Sequence, residues 1–236
     1  MRRLLYVAVS TLACMGCAGE TATGPVTFVA ELRNTSAPGA LATSAGPVDI
    51  VLAPGVFAVA PAGWHLYELG SAAPAGLEAL AEDGSNTPLL VALAGRADVS
   101  SSGAFGVDVI DVSYASNPIS PGDVVQIVFE ARSGERLHLA SMFTQSNDVA
   151  LGTAPAGIDP FRTAARASAD ATSELGLFDT GTEVDEEPGA GPTQAPRQPA
   201  PNTGTDEHGT VTAVDASRGF PPVGAFATLT VRQRPM

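Results

Sequence analysis

Residues 121–143 read PGDVVQIVFEARSGERLHLASMF and give the strongest strand signal in the chain. Apolar side chains recur at even spacings on both sides of a central turn, namely Val125, Ile127, Phe129 and Ala131 before it and Leu137, Leu139 and Phe143 after it. A period of two places such side chains on one face of a strand, and Ser133-Gly134-Glu135 supplies the turn. The stretch therefore predicts a β-hairpin with one face in a hydrophobic core.

Segments on both sides of this hairpin extend the pattern. Strand character is found at residues 25–34 (PVTFVAELRN), 52–60 (LAPGVFAVA), 105–115 (FGVDVIDVSYA) and 225–233 (AFATLTVRQ). Strands at such short intervals, with few and brief helices between them, are typical of an antiparallel sandwich. The sequence therefore predicts an all-β fold.

Two short helices are predicted in the connections. In residues 74–84, Leu77 and Leu80 share one helix face and Gly84 ends the helix. In residues 86–95, Thr87 is the predicted N-cap and Pro88 the first helical residue. A third, Ala-rich stretch at residues 161–174 also has helical character.

Composition excludes one class of partner. The chain has 236 residues, of which 44% are hydrophobic, and its formal net charge is −13. That apolar content is sufficient for a core, but the acidity gives no electrostatic footprint for nucleic acid. The same charge opposes docking on an anionic membrane surface.

The first twenty residues have the pattern of a targeting segment. They read MRRLLYVAVSTLACMGCAGE, in which two arginines precede an apolar stretch too short to span a membrane. The end resembles a bacterial lipoprotein signal, with Cys17 as the predicted lipidated residue and Cys14 as the alternative. Ordinary signal cleavage without a lipid stays open. The predicted organisation is a signal peptide over residues 1–17, a tether over 18–24 and one domain over 25–236.

The residue after Cys17 bears on localisation. It is Ala18 rather than Asp, which in Gram-negative sorting favours the outer membrane. We therefore expect a secreted, outer-membrane-anchored lipoprotein that faces the periplasm or the cell surface and contacts the membrane through its lipid only.

Residues 177–199, LFDTGTEVDEEPGAGPTQAPRQP, contain Asp179-Thr180-Gly181 behind two apolar residues, as in the catalytic loop of an aspartic protease. Such a protease needs two of these loops, so that two carboxylates share a proton. The chain has one, and four acidic residues follow it within eight positions, where a protease needs an apolar cleft. We therefore expect no catalytic residues and no enzyme, with the protease kept as the least favoured alternative.

Histidines and aromatic residues give weaker signals. His138 alternates with the apolar positions of its strand and is predicted to face solvent. Surface or packing roles are also expected for His65 and His208. Trp64 and Tyr67 together have the residue types that stack on a sugar, although packing against the core is the favoured interpretation.

Five blocks of the sequence resemble the spondin N-terminal domain family in its bacterial form. They are residues 53–63, 66–90, 121–152, 177–204 and 209–232, and the most specific pieces are SMFTQSND and FDTGTEVDEEPG followed by GPTQAPRQ. The resemblance implies an eight-stranded antiparallel β-sandwich, akin to calcium-dependent membrane-binding sandwiches. Animal relatives belong to extracellular matrix and cell-adhesion proteins.

The resemblance also implies one Ca²⁺ in loops at one end of the sandwich. The positions that match the family site are Asp148, Asp179 and the backbone carbonyl of Leu175. Phe178 stands where animal relatives have Trp, and their disulfide cysteines are absent here. The Pro-rich acidic run 183–207 is then expected to be an ordered loop over the sandwich.

The functional expectation is a non-catalytic, calcium-binding module for adhesion or ligand binding. Its partner is a surface protein or glycan that the sequence does not identify. A carbohydrate- or lipid-binding module, with loops near the calcium site that touch the ligand, is the main alternative.

Overall fold

The computed structural model describes residues 24–106, 118–163 and 169–235, which form two antiparallel sheets. The strands are β1 Val26–Asn34, β2 Gly55–Pro61, β3 Ser101–Phe105, β4 Val124–Ala131, β5 Glu135–Met142, β6 Val149–Thr153, β7 Ala169–Asp170, β8 Leu175–Asp179, β9 Thr212–Ala213 and β10 Ala227–Gln233. One sheet has the order β4-β1-β10-β7, and the other has the order β3-β2-β5-β6-β8-β9. The helices are α1 Ala75–Asp83, α2 Thr87–Ala94 and α3 Pro160–Thr163.

The predicted all-β sandwich is confirmed. Eight of the strands in the described ranges have five residues or more, and the two-residue strands β7 and β9 lie at sheet edges. The main core fills the space between the sheets, and its largest fully buried side chains include Phe28, Leu32, Leu137, Leu139, Phe143 and Phe226. Phe143 packs edge-on against Phe226 with ring centroids 5.6 Å apart. The alternating apolar residues of the sequence therefore face inward from both sheets.

The predicted hairpin is wrong in its pairing. The two strands form where expected, but β4 pairs with β1 in one sheet, whereas β5 pairs with β2 and β6 in the other. The turn at Gly134, which has a φ of 92°, crosses from sheet to sheet. Phe129 and Leu137 thus enter the same core from opposite sides. An alternating pattern specifies which face of a strand is buried but not which neighbour it bonds, so the sequence did not separate the two arrangements.

Both predicted connecting helices are present, and they cover the outer face of the six-stranded sheet. Leu77, Leu80 and Leu89 form a second core with residues of β2 and β5. Gly84 ends α1 in the left-handed conformation, with a φ of 66°, as predicted. The predicted start of α2 is wrong by one residue, because the N-cap is Asn86 rather than Thr87.

Some sequence predictions fall partly or wholly outside the described residues. Phe105 ends β3, but residues 107–115 of the predicted strand lie outside the description. In the predicted helix at 161–174, α3 ends at Thr163 and residues 172–174 form a 3₁₀ turn, so the visible parts are not one helix. The candidate lipidation residues Cys14 and Cys17 also lie outside. Within the described ranges, no helix has the length and apolarity needed to cross a membrane.

Candidate metal centre

Three aspartates meet at one end of the six-stranded sheet. Strands β6 and β8 pair in a register that sets Val149 opposite Asp179, so Asp148 and Asp179 lie at the same end of neighbouring strands. Asp185, from the loop after β8, joins them. One carboxylate oxygen from each of the three lies within 4.8 Å of the others. The expected approach of Asp148 and Asp179 is therefore present, and a third carboxylate accompanies them.

The expectation for Leu175 needs correction. Asp148 directly precedes β6, which begins at Val149. Leu175 begins β8 and pairs with Thr153, whereas Asp179 ends the strand. Four extended residue steps separate Leu175 from Asp179 by about 13 Å, and oxygens that share one calcium ion lie at most about 5 Å apart. The Leu175 carbonyl is therefore not a ligand of this site.

Asp148 is a buried carboxylate in which only one of the two oxygens is hydrogen-bonded to the described residues. It is 0% exposed, and its Oδ2 accepts hydrogen bonds from the backbone N–H groups of Thr182 at 3.0 Å and Glu183 at 3.1 Å. Its Oδ1 is buried and has no hydrogen-bond partner among the described residues. Burial, followed by the nearby charge of Asp179, raises the pKa of Asp148 to about 7, although the two backbone donors oppose the shift.

Asp179 is held by the turn that it begins. Its Oδ1 accepts from the backbone N–H of Gly181 at 2.6 Å. Gly181 has a φ of 66°, and a Cβ atom there would stand 2.6 Å from the backbone nitrogen of Thr210. Only glycine fits this conformation and this close approach. The Asp-Thr-Gly motif is therefore explained by turn geometry and by the position it gives the carboxylate.

Arg218 completes the charged cluster. It lies at the end of a 3₁₀ turn, Ala216–Arg218, and its Nη1 donates to Asp179 Oδ2 while its Nη2 donates to Asp185 Oδ1. Its side chain is 22% exposed, and the guanidinium carbon lies 5.6 Å from the centroid of the Phe220 ring. One guanidinium thus contacts two of the three carboxyl groups, of which Asp148 and Asp179 are buried and Asp185 is 44% exposed.

The acidic, Pro-rich run 183–207 is ordered, as expected, and packs over this end of the sandwich. Val184 lies between two anchors: its N–H donates to the carbonyl of Thr205 at 2.8 Å, and its carbonyl accepts from Asn147 Nδ2 at 2.8 Å. The Gln194 side chain is fully buried, and its Nε2 donates to the carbonyl of Glu187 at 2.7 Å. These contacts fix the position of Asp185 within the loop.

A cleft of about 380 Å³ gives solvent access to the cluster. It is lined by Ala42, Asp185, Glu186, Glu187, Pro188, Ser217, Arg218 and Gly219. Asp148 and Asp179 do not line it and are only 0% and 5% exposed. The cleft therefore reaches Asp185 and Arg218 but not the buried pair Asp148 and Asp179.

A second group of buried acids lies on the other side of the Asp179 turn. Glu82 is 4% exposed, and burial raises its pKa to about 7. Glu183 is 1% exposed, its Oε1 accepts from the N–H of Gly204 at 2.8 Å, and burial raises its pKa. The Thr180 and Thr182 hydroxyls, 2.8 Å apart, stand between this pair and Asp148. Acidic side chains are therefore concentrated on both sides of the turn.

The structure corrects the expectation for His138. Its ring is 1% exposed, it packs edge-on against Trp64 at 4.9 Å, and neither ring nitrogen has a partner among the described residues. Burial lowers the pKa of His138 to about 4. His138 does alternate along β5 with the residues of the main core. The outer face of β5 is covered as well, so His138 is buried on that face. His65 and His208 are exposed, as expected.

The aromatic pair considered for sugar stacking is not an open platform. Tyr67 is 4% exposed, its hydroxyl donates to the carbonyl of Thr153, and its ring packs against Phe178 at 5.0 Å. Trp64 is partly exposed, and the guanidinium of Arg96 lies 5.6 Å from its ring centroid. The favoured interpretation, packing against the core, therefore holds for Tyr67.

Asp185 and Arg218 are the site residues that sequence reasoning did not find. Asp185 belongs to a run of four acids, Glu183 to Glu187, in which nothing local marks one residue as the ligand. Arg218 is 39 residues from Asp179 in sequence. A family-wide comparison of the acidic run would have been the available signal for Asp185.

Comparisons with known proteins do not assign the chain to a family. No protein-family model matches it, and no curated protein is significantly similar to it. The interpretation of the site therefore depends on its geometry and on the chemistry of its donor atoms.

Proposed function

We propose that Asp148, Asp179 and Asp185 bind one Ca²⁺, and that the chain is a non-catalytic, spondin-type adhesion or ligand-binding module. The observation that carries the proposal is the Oδ1 atom of Asp148, which is buried beside two further carboxylates and has no hydrogen-bond partner among the described residues. A buried carboxylate without a partner is costly, and a bound cation removes that cost.

The donor set fits a hard divalent cation. Ca²⁺ takes about six to eight oxygen ligands at about 2.3–2.6 Å; it prefers carboxylate oxygens, and carbonyls and waters fill the positions that the carboxylates leave. The site offers carboxylates and no sulfur or imidazole among its three candidate ligands. With three acidic side chains, we expect a dissociation constant on the order of 10⁻⁴–10⁻³ M, as in extracellular modules.

Several observations support a role without catalysis. Asp148 and Asp179 are both almost fully buried, and Asp179 is bonded to Arg218 and to the Gly181 N–H. A proteolytic dyad needs a peptide within reach of a shared proton. We therefore expect no pepstatin-sensitive cleavage of a peptide library. Cleavage that is lost in Asp179→Asn would instead favour the aspartic protease.

Two features support a role at the cell envelope. The first twenty residues have the pattern of a lipoprotein signal with Cys17 as the acceptor, and the chain resembles a family of extracellular adhesion proteins. We propose an outer-membrane lipoprotein whose partner is a surface protein or a glycan. A carbohydrate-binding variant of the same function is the alternative, and the cleft beside Asp185 is the opening nearest to the site. Strong calcium-dependent binding on a glycan array would select that variant over protein adhesion.

Thermal melting in two buffers tests the calcium site. An ion that binds only the folded state stabilises it by mass action, by about 2.7 kcal/mol at a hundredfold excess over the dissociation constant. Wild type should therefore melt at a higher temperature in CaCl₂ than in EDTA. The difference should disappear in Asp148→Asn, Asp179→Asn and Asp185→Asn.

The matched control is Asp98→Asn. Asp98 is an exposed aspartate that pairs with Arg96 and does not belong to the aspartate cluster, so its change removes one carboxylate outside the site. Its melts should keep the wild-type difference between the two buffers. Identical wild-type melts in CaCl₂ and EDTA would refute the calcium site.

A further inference from the structure

We infer that Arg218 is the built-in counter-cation of the ion-free site and that it competes with Ca²⁺ for Asp179 and Asp185. The inference rests on the proposed function and adds a residue that sets the affinity of the site. Arg218 contacts both carboxylates at once, with Nη1 on Asp179 Oδ2 and Nη2 on Asp185 Oδ1. It therefore occupies two of the three side chains that the ion needs.

The guanidinium and the ion repel each other at this range. An ion bound at 2.3–2.6 Å to the same carboxylates would stand within about 5 Å of the Arg218 nitrogens. Two cations at that separation, in a mostly buried cluster, oppose each other more strongly than they would in water. Entry of the ion is therefore coupled to withdrawal of the guanidinium.

A bound ion would contact Asp148 Oδ1, an atom that Arg218 does not contact. The two bonds of Arg218 reach Asp179 and Asp185, while Asp148 Oδ1 remains buried and unpartnered in the part of the chain that the structure describes. A cation placed among the three carboxylates contacts Asp148 as well. This difference favours exchange when calcium is abundant, and the guanidinium prevails when it is scarce.

The surroundings of Arg218 allow it to leave without unfolding its turn. The turn is held independently by Asp215, whose Oδ1 accepts from the N–H of Ser217 at 2.7 Å. Arg218 and Gly219 line the 380 Å³ cleft, together with Glu186 and Glu187. The side chain can therefore swing from the two carboxylates into an acidic cleft that is open to solvent.

Calcium titration calorimetry of Arg218→Met tests the competition. Without the guanidinium, the dissociation constant for Ca²⁺ should fall at least about tenfold, whereas the melting temperature in EDTA should fall because the carboxylates lose their counter-cation. Arg162→Met is the control, since it removes the same charge from an exposed side chain that pairs with Glu174. Its dissociation constant should stay within about twofold of wild type, because a distant exposed charge is screened.

The outcomes separate this inference from the proposed function. Calcium binding to wild type with the same or weaker affinity in Arg218→Met would overturn the competition and leave the calcium site standing. Binding to Arg218→Met but not to wild type would support it, with the guanidinium as the stronger competitor. Absence of binding to both proteins would overturn both proposals.

Hydrogen exchange on wild type keeps the inference testable if Arg218→Met does not fold. Added Ca²⁺ should slow amide exchange in residues 179–187, where the ligands lie, but not in residues 215–220, because Arg218 withdraws from the site while Asp215 keeps its turn in place. Slower exchange in both segments would mean that Arg218 stays bonded to the carboxylates beside the ion, and would overturn the competition.

Discussion

His138 and Asp148 are single residues whose burial opposes their charged forms. His138 has two ring nitrogens without partners in the described structure, and burial lowers its pKa to about 4. Asp148 has one oxygen without a partner, and burial raises its pKa to about 7. The two residues differ in whether a bound cation can take the place of the missing hydrogen bonds. A cation can reach Asp148 beside the other aspartates, whereas Trp64 and Gly157 enclose His138.

The pKa of His138 predicts a pH-dependent loss of stability. The folded-state pKa lies below the ordinary value of 6.5, so the unfolded chain binds the proton first as the pH falls. The stability that the neutral His138 ring contributes is complete above about pH 6.5. It decreases by about 3 kcal/mol as the pH falls to about 4. We expect the free energy of unfolding of wild type, relative to His138→Phe, to fall by that amount between pH 7.5 and pH 4. A constant difference across this range, measured by urea unfolding, would contradict the burial of a neutral ring.

The turn between β8 and the acidic loop is the element on which the site depends. Gly181 has a φ of 66°, and the backbone of Thr210 occupies the space that a Cβ atom at Gly181 would need. Gly181→Ala should lower the free energy of unfolding by about 2–4 kcal/mol, through the strain of positive φ and displacement of Thr210. It should also weaken calcium binding, because the turn positions Asp179. Both effects would be measured by chemical unfolding and calcium titration.

Gly63→Ala is the control for that turn. Gly63 has a φ of 90°, but in the described parts of the chain no atom lies within 4 Å of where its Cβ would be. The change should cost only the strain of positive φ, about 1–2 kcal/mol, and should leave calcium binding unchanged. Equal effects of the two substitutions would show that the approach of Thr210 does not matter.

The elements also show where sequence reasoning succeeds. Burial on one face follows from spacing, so Ile127 and Phe129 were correctly placed in the core. Pairing does not follow from spacing, and the two strands around Gly134 consequently belong to different sheets. His138 was misjudged because helices and loops cover a sheet face that alternation alone marks as outer. Tertiary contacts of this kind leave no period in the sequence.

At the scale of the whole molecule, the site depends on chain segments far apart in sequence. The family resemblance predicted that Asp148 and Asp179 lie together. The register of β6 with β8 is what brings them together in the structure. Asp185 and Arg218 reach the site through an irregular loop and a 3₁₀ turn, where no periodic pattern assigns positions. Their contribution needed the folded arrangement.

The proposed envelope location is also tested at the scale of the whole molecule. If Cys17 carries the lipid, wild type should fractionate with membranes, and Cys17→Ala should release soluble protein. Cys14→Ala is the matched control and should stay with the membrane fraction. Intact-mass measurement should find an acyl group on wild type and none on Cys17→Ala. Membrane fractionation of Cys17→Ala, without an acyl group on wild type, would refute the anchor.

The most direct test of the central claim is equilibrium dialysis of the folded protein against radioactive calcium. The account predicts one Ca²⁺ per chain, half-saturated on the order of 10⁻⁴–10⁻³ M, and none above background in Asp148→Asn. Circular dichroism of the same samples would establish that both proteins are folded. Folded wild type that retains no calcium at millimolar concentration, or an Asp148→Asn variant that binds as wild type does, would contradict it.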